Sequence, residues 1–203
     1  YRADALTHND ATVTEYQQTS TGETSQRKLL KKYQLKQDEF RELHTFCGKY
    51  DIDFLSSPFD RRSLSFLVEE LELDRIKIPS GEITNGPLLY DIGGHRRPVL
   101  LSTGMSTMGE IKEALGVLAF GACNESMKTF NRDVFKQQHR EYLREYLTVL
   151  QCTSAYPTPE DEVNLRCLTT LEENFEIDVG FSDHTLNVHT PALAVARGAG
   201  VVE

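Results

Sequence analysis

The sequence has few cysteines and no long apolar run, and each absence excludes a class of protein. The four cysteines, Cys47, Cys123, Cys152 and Cys167, are widely spaced and form no CxxC pair, which excludes zinc-ribbon and thioredoxin-like sites. We expect four reduced thiols, as is typical of a cytoplasmic protein. No apolar run approaches the ~20 residues needed to cross a bilayer, and no secretory signal pattern is present, so we expect no membrane association.

Basic residues are also in the minority. The chain carries 22 Lys and Arg against 31 Asp and Glu, a net charge of -9, which argues against a nucleic-acid binder because such proteins need a basic face. No GxGxxG or GxxxxGK[ST] pattern occurs, so nucleotide-binding open sheets lose their main support. With 203 residues, of which 39% are hydrophobic, the chain is expected to form one or two globular domains.

The two ends of the sequence are unusual. The chain opens with Tyr1 rather than Met, and it stops at Val201-Val202-Glu203, which resembles a strand entering a core. We interpret both ends as cuts through a larger protein.

Apolar spacing predicts the elements. The polar segment Tyr1–Gly22 predicts a long loop, and the segment from Thr24 or Ser25 to Lys49 predicts two helices that break near Leu35. Six strands are then predicted: Asp51–Ser56, Arg75–Ile78, Pro98–Leu101, Leu147–Gln151, Asp178–Phe181 and a last strand that opens at Gly200. Helices are predicted between them: Arg61–Leu71, Pro87–Ile92, Met108–Phe120, Asp161–Phe175 and Val188–Arg197, with a partly helical insertion at Gly121–Arg140.

Strands that alternate with helices predict a parallel sheet, either doubly wound or closed into a (β/α)8 barrel. Polar residues follow several strands, whereas a doubly wound sheet would concentrate them at one switch point. We therefore favour a fragment of a (β/α)8 TIM barrel, about strands 3 to 8, in which the first two strands are missing.

Lys77 is the first candidate for chemistry. It lies between Ile76 and Ile78 in a predicted buried strand, where an ammonium group is costly without an anionic partner. It could pair with a structural carboxylate, clamp an anionic ligand or act as a Schiff-base nucleophile. Ser80 and Gly81 could offer a hydroxyl and a backbone N–H beside it.

Three further strand ends carry polar groups. Ser102-Thr103-Gly104 precedes a helix and suits a phosphate or carboxylate, although Ser and Thr are also ordinary helix caps. Cys152 is interpreted as an inert core thiol, and the prolines that flank Thr158 aim Tyr156. His184, beside Asp183, could be a metal ligand, a general base or an ordinary residue at a helix start. The remaining histidines that lie in polar stretches are expected at the surface: His8, His44, His95 and His139.

Five stretches in order resemble the sialic acid synthase family, whose members condense phosphoenolpyruvate with an N-acetylated amino sugar. The stretches are Ser56-Ser57-Pro58-Phe59, Lys77-Ile78-Pro79-Ser80-Gly81-Glu82, Leu101-Ser102-Thr103-Gly104-Met105, Cys152-Thr153-Ser154-Ala155-Tyr156-Pro157-Thr158-Pro159 and Gly180-Phe181-Ser182-Asp183-His184-Thr185.

The resemblance implies residue roles. It places phosphoenolpyruvate against Lys77, Ser57, Ser80, Ser102 and Ser182, and against Ser154, where some members carry Asn. It places the amino-sugar aldehyde at Tyr156 and acidic groups of the active-site wall at Glu82 and Glu203. It makes His184 one of two histidine ligands of a divalent metal, usually manganese, with magnesium or cobalt as alternatives.

The resemblance also has gaps. Residues 1–203 would be a partial barrel domain without the family's first two strands, its second metal histidine or its C-terminal antifreeze-like domain, so we expect the bare fragment to be inactive. The intact protein is expected to be a cytoplasmic homodimer of capsule or lipopolysaccharide biosynthesis that makes a nine-carbon 2-keto sugar acid. Its acceptor would be N-acetylmannosamine or a diacetamido-trideoxyhexose, since the insertion resembles longer bacterial members. The alternatives are a class I aldolase that uses Lys77 and a non-catalytic barrel fragment.

Overall fold

A computed structural model describes residues 1–8, 10–133 and 135–203. These residues form two compact units. We call residues 1–54 and 58–73 the helical unit, and residues 55–57 and 74–203 the sheet unit. Within the described residues, no helix has the length and apolar character needed to cross a membrane.

The helical unit contains five α-helices and one π-helical turn among its described residues: α1 (Ala3–Leu6), α2 (Glu15–Thr21), α3 (Gln26–Tyr33), α4 (Gln37–Lys49), α5 (Arg61–Ser65) and the π-helical turn Phe66–Glu70. The predicted break near Leu35 and the Ser25 cap are confirmed, because the Ser25 hydroxyl accepts a hydrogen bond from the Lys28 amide. The predicted loop at the N-terminus was wrong in part, since it holds α1 and α2.

Aromatic side chains hold this unit together. The Phe40 ring meets Phe54 and Phe66 edge to face at centroid distances of 6.0 and 6.2 Å. Edge-to-face ring pairs add about 0.5–1.5 kcal/mol to the gain from burial. The same cluster includes Leu67 and Leu71, both buried.

The predicted strand Asp51–Ser56 was wrong. The structure places no strand there, and Ile52 is 61% exposed. A strand needs a neighbour to satisfy its backbone hydrogen bonds. Within the described residues, this segment pairs with no other strand.

The sheet unit contains five strands and five α-helices among its described residues: β1 (Ile76–Ile78), α6 (Gly86–Gly94), β2 (Val99–Ser102), α7 (Met108–Ala122), α8 (Gln137–Tyr146), β3 (Leu147–Cys152), α9 (Arg166–Phe175), β4 (Asp178–Ser182), α10 (Thr190–Ala196) and β5 (Val201–Val202). Short 3₁₀ turns occupy Ser80–Glu82, Met127–Thr129 and Glu160–Glu162. The predicted helix Asp161–Phe175 is therefore divided, and Asn164 at the break has a positive φ of 53°. The predicted insertion is partly helical as expected, and its Val134 lies outside the described residues.

The sheet is wholly parallel, and its strands follow chain order from β1 to β5. The order never reverses, whereas a doubly wound sheet requires a reversal at its switch point. The doubly wound alternative is thus excluded for these strands. All their carboxyl ends lie at one edge of the sheet.

Apolar strand residues form the core, and Leu101, Val149 and Leu150 are fully buried. Burying such a side chain contributes about 1.5–3 kcal/mol. Helices α6 and α7 pack in direct backbone contact, because a Cβ at Gly93 would lie 2.0 Å from the Leu118 carbonyl oxygen. The close packing of these helices therefore requires glycine at this position.

Candidate active site at the strand ends

The carboxyl ends of the strands bring distant parts of the sequence together. Ser102 is in register with Leu150, and Cys152 is in register with Ser182. The Thr103 amide and hydroxyl both donate to the Leu150 carbonyl, at 3.1 and 3.0 Å, and so extend the pairing of β2 with β3 beyond the last strand residue. Residues that follow each strand are thereby held at one edge of the sheet.

Lys77, in β1, contacts the ends of two other segments at this edge. It is only 7% exposed, and its Nζ donates to Ser102 Oγ at 2.8 Å and to Glu203 Oε2 at 2.7 Å. The expected anionic partner is thus Glu203, which is 126 positions away in the sequence. The Glu203 side chain is 39% exposed. A buried ammonium is stabilised by such charge-assisted hydrogen bonds, and a half-exposed carboxylate can turn away from it.

A second polar cluster joins three loops. Ser80 Oγ accepts from the Gly104 amide at 2.9 Å and lies 3.2 Å from Cys152 Sγ. A Cβ at Gly104 would lie 2.3 Å from Ser154 Oγ, so the Ser154 hydroxyl also lies against this glycine. The predicted site residues Ser80 and Ser154 are therefore brought together, and Cys152 is a buried thiol between them.

His184 lies on the loop after β4 with a defined ring orientation. Its Nδ1 lies 2.9 Å from the Thr153 carbonyl oxygen, which can only accept, so Nδ1 carries the proton. Its Nε2 has a long 3.5 Å contact with Ser182 Oγ. The Tyr156 ring lies over the imidazole at a centroid distance of 4.2 Å. Tyr156 is 53% exposed, as a residue that meets a substrate would be.

The contacts of the His184 ring are those of a histidine that supplies one ligand atom to a metal. A metal-binding histidine commonly donates its other ring N–H to a carbonyl oxygen, which leaves a lone pair for the metal. His184 does so through Thr153, and its unprotonated nitrogen is Nε2. Within the described part of the chain, His184 belongs to no group of three potential ligands, so it fits as one ligand and not as a complete set.

Two predicted site residues stand apart from these contacts. Glu82 ends the 3₁₀ turn and accepts a hydrogen bond from the Asn85 side chain at 2.7 Å. Ser57 is half-buried. Among the described residues, neither side chain has a hydrogen bond to Lys77, Ser102 or His184.

One buried cluster was missed by the sequence reasoning. His139 was expected at the surface, but it is fully buried, and its Nε2 lies 3.0 Å from Glu125 Oε1. With Cys123 these residues have the composition of a metal site. The Lys136 amide, however, donates to His139 Nδ1, which places the proton on Nε2, the nitrogen that a metal would need. The contacts therefore favour a structural hydrogen-bond network over a metal site.

Comparison with known proteins extends these observations. The profile of the NeuB family matches residues 1–203. The chain is 36% identical over 204 residues to an N,N'-diacetyllegionaminic acid synthase of Legionella pneumophila, covering 100% of this chain and 52% of that protein. It is 41% identical over 185 residues to the enzyme of the same name from Campylobacter jejuni, covering 91% of this chain and 49% of that protein. The chain thus spans about half the length of these relatives.

Solved structures agree with this result. The N-acetylneuraminic acid synthetase of Leptospira borgpetersenii, determined in complex with citrate, superposes with a TM-score of 0.72 at 29% identity. The match covers 87% of this chain and 54% of that one. Three findings point to the same family as the motifs at the strand ends. They are the match to this fold, the profile match over the whole chain and the similarity to the two legionaminic acid synthases. The chain belongs to the NeuB family, and its similar members include N,N'-diacetyllegionaminic acid synthases and N-acetylneuraminate-9-phosphate synthase.

Proposed function

We propose that this chain belongs to a synthase that condenses phosphoenolpyruvate with an N-acetylated amino-sugar aldehyde. The product is a nine-carbon 2-keto sugar acid, and inorganic phosphate is released. The observation that carries the proposal is the buried Lys77 ammonium, which lies at the strand ends between Ser102 and Glu203. The family membership of the chain supports the same reaction class.

The architecture that we propose is a partial barrel. Five parallel strands in chain order, joined by chain segments that return to the other end of the sheet, are what a run of consecutive (β/α)8 units would give. Active sites of such barrels lie at the carboxyl ends of the strands. Lys77, Ser102 and Glu203, which we call the Lys77 cluster, lie at that edge.

Lys77 would anchor the anionic substrate. Its ammonium would bind the phosphate or carboxylate of phosphoenolpyruvate, with Ser102 as a neighbouring donor. The half-exposed Glu203 carboxylate would have to release the ammonium when the anion enters. Ser80, Ser154 and Ser182 would supply further hydroxyl groups, and Ser57 is the remaining candidate.

The reaction would then proceed at the exposed side of this cluster. Carbon 3 of phosphoenolpyruvate attacks the sugar aldehyde, whose oxygen takes up a proton and becomes a hydroxyl. Positive charge at carbon 2 is captured by water, which loses a proton. The resulting tetrahedral centre loses phosphate by C–O cleavage and the hydroxyl proton to give the ketone. We assign these proton transfers to Glu203 and Glu82, which the resemblance places in the active-site wall.

A divalent metal would bind next to the aldehyde of the acceptor sugar. We expect manganese, with magnesium or cobalt as alternatives. When bound, it supplies Lewis-acid polarisation of the aldehyde oxygen. His184 would hold it through Nε2, while Thr153 keeps the proton on Nδ1. Tyr156, whose half-exposed ring packs at a tilt against His184, would contact the sugar.

The acceptor that we favour carries two acetamido groups. The relatives from Legionella pneumophila and Campylobacter jejuni are both N,N'-diacetyllegionaminic acid synthases. A diacetamido-trideoxyhexose is accordingly preferred over N-acetylmannosamine.

A class I aldolase would use the same lysine as a nucleophile. That chemistry needs a neutral amine, whereas Lys77 is held as an ammonium between a carboxylate and a hydroxyl. The contacts favour the role of anion clamp. Borohydride reduction in the presence of pyruvate distinguishes the two, since it would label Lys77 only in an aldolase.

The test of the proposal is a phosphate-release assay of the intact protein that contains this chain, with phosphoenolpyruvate labelled with ¹⁸O at its bridging oxygen. Both acceptors are offered in parallel, with Mn²⁺ and with a chelator. We expect the label in the released phosphate and faster turnover with the diacetamido sugar. Label retained in the keto acid, or no phosphate release with any aldehyde sugar, would refute the proposed reaction.

A further inference from the structure

The loop between β3 and α9 is held to the loop after β4 by a buried threonine. Thr158 is 6% exposed, and its amide donates to the His184 carbonyl at 2.8 Å. Its hydroxyl lies 2.9 Å from the Ala155 carbonyl oxygen and 3.3 Å from the Thr153 carbonyl oxygen. One residue thus contacts both the backbone of His184 and the turn that faces the His184 ring.

The amide and hydroxyl contacts of Thr158 both affect the position of the His184 imidazole. The Thr153 carbonyl accepts the proton of His184 Nδ1 at 2.9 Å, so its direction determines which ring nitrogen is protonated. The Thr158 hydroxyl has one proton, and the shorter contact makes Ala155 its main acceptor. That bond closes the turn from 155 to 158, and it holds the hydroxyl 3.3 Å from the Thr153 carbonyl oxygen, the same oxygen that accepts from His184 Nδ1.

We propose that Thr158 is a positioning residue for His184, holding the imidazole in the tautomer that leaves Nε2 free for a metal. The proposal rests on the proposed metal-binding role of His184. It assigns to Thr158 no contact with substrate or metal. Its hydroxyl acts through the Thr153 carbonyl, and its amide acts through the His184 backbone.

The test compares Thr158→Val, which keeps the shape and removes the hydroxyl, with Thr158→Ser, which keeps the hydroxyl. The tautomer of His184 is read without metal by long-range ¹H–¹⁵N NMR, with His184→Gln identifying the signal. Mn²⁺ affinity and phosphoenolpyruvate affinity are measured by calorimetry. Circular dichroism verifies folding, and Thr158→Ala replaces Thr158→Val if the latter does not fold.

We expect Thr158→Val to mix the two tautomers and to raise the Mn²⁺ dissociation constant by about 3- to 10-fold, since loss of a direct outer-shell partner of a metal ligand costs about 10- to 100-fold and Thr158 is one step further out. Thr158→Ser should behave as the wild type, and phosphoenolpyruvate affinity should not change in either variant. A wild-type tautomer and Mn²⁺ affinity in Thr158→Val would overturn the proposal. Unchanged Mn²⁺ affinity in His184→Gln, with tautomer mixing in Thr158→Val, would instead refute the metal-binding role and leave the positioning of the ring supported.

Discussion

Gly104 offers a direct test of the packing at the strand ends. A Cβ built at this residue would lie 2.3 Å from Ser154 Oγ, 2.8 Å from Cys152 Sγ and 3.0 Å from Ser80 Oγ, whereas ordinary contacts begin at 3.4 Å. The residue has no left-handed backbone angle, so the effect of a methyl group is steric alone. The Gly104→Ala variant must therefore displace three side chains, two from the end of β3 and the loop that follows it and one from the turn after β1.

The expected cost follows from these distances. Overpacking a close-packed site by one methyl group costs about 1–3 kcal/mol. For a protein of this size each kcal/mol lowers the unfolding midpoint by about 2–4 °C, which gives a fall of about 2–12 °C. Because Ser80 is displaced as well, we also expect weaker phosphoenolpyruvate binding.

Differential scanning calorimetry of Gly104→Ala is the assay, with two comparisons. Gly109→Ala is the control, because that glycine is exposed in α7 and its Cβ would meet only Thr107 Oγ1 at 3.8 Å. It should be neutral or stabilising, since alanine is the better helix former. Ser154→Ala removes the nearest atom, so the double variant should recover about 0.5 kcal/mol or more of the loss. Wild-type stability of Gly104→Ala would refute the packing of these loops.

Two further predictions concern the buried network beside α8. The pKa of the Glu125 carboxyl is lowered, mainly by the hydrogen bond from Lys136 and also by that from His139. A carboxyl whose pKa is lower in the folded state stabilises the fold at pH values above its unfolded pKa of about 4.3. This stabilisation is lost as the pH falls through the folded-state pKa. Glu125→Gln should therefore flatten the dependence of the unfolding midpoint on pH between about pH 5 and 3, and an unchanged slope in thermal scans would contradict this. The Tyr142 hydroxyl is buried without a hydrogen-bond partner among the described residues, and burial raises the pKa of Tyr142. Tyr142→Phe should equal or exceed the wild type in stability, and a loss above about 1 kcal/mol in urea titrations would indicate a partner for the hydroxyl.

The sheet could be predicted from the sequence because its strands are short apolar runs that alternate with helices. The location of Lys77, Ser102 and His184 at strand ends followed from the same pattern. The carboxylate partner of Lys77 could not be derived from local pattern, since Glu203 is 126 positions away.

The failures have physical causes as well. Asp51–Ser56 has the composition of a strand, but strand formation depends on a neighbour that composition does not reveal. His139 lies in a polar stretch, yet its ring packs on Phe120 of α7 at a centroid distance of 4.9 Å. Thr158 lies in the fourth of the stretches that resemble the family, but the resemblance implies no role for it, and its buried contacts to both loops identify it.

The central claim is that the Lys77 ammonium binds the anionic three-carbon substrate, and calorimetric titration of phosphoenolpyruvate into the protein tests it most directly. Lys77→Met is compared with Lys128→Met, which removes an exposed lysine of the same unit. Because a hydrogen bond to a charged group contributes about 1.5–3 kcal/mol, the dissociation constant of Lys77→Met should rise by about 10- to 100-fold, and that of Lys128→Met should not change. Equal affinities in the wild type and in a folded Lys77→Met variant would contradict the account.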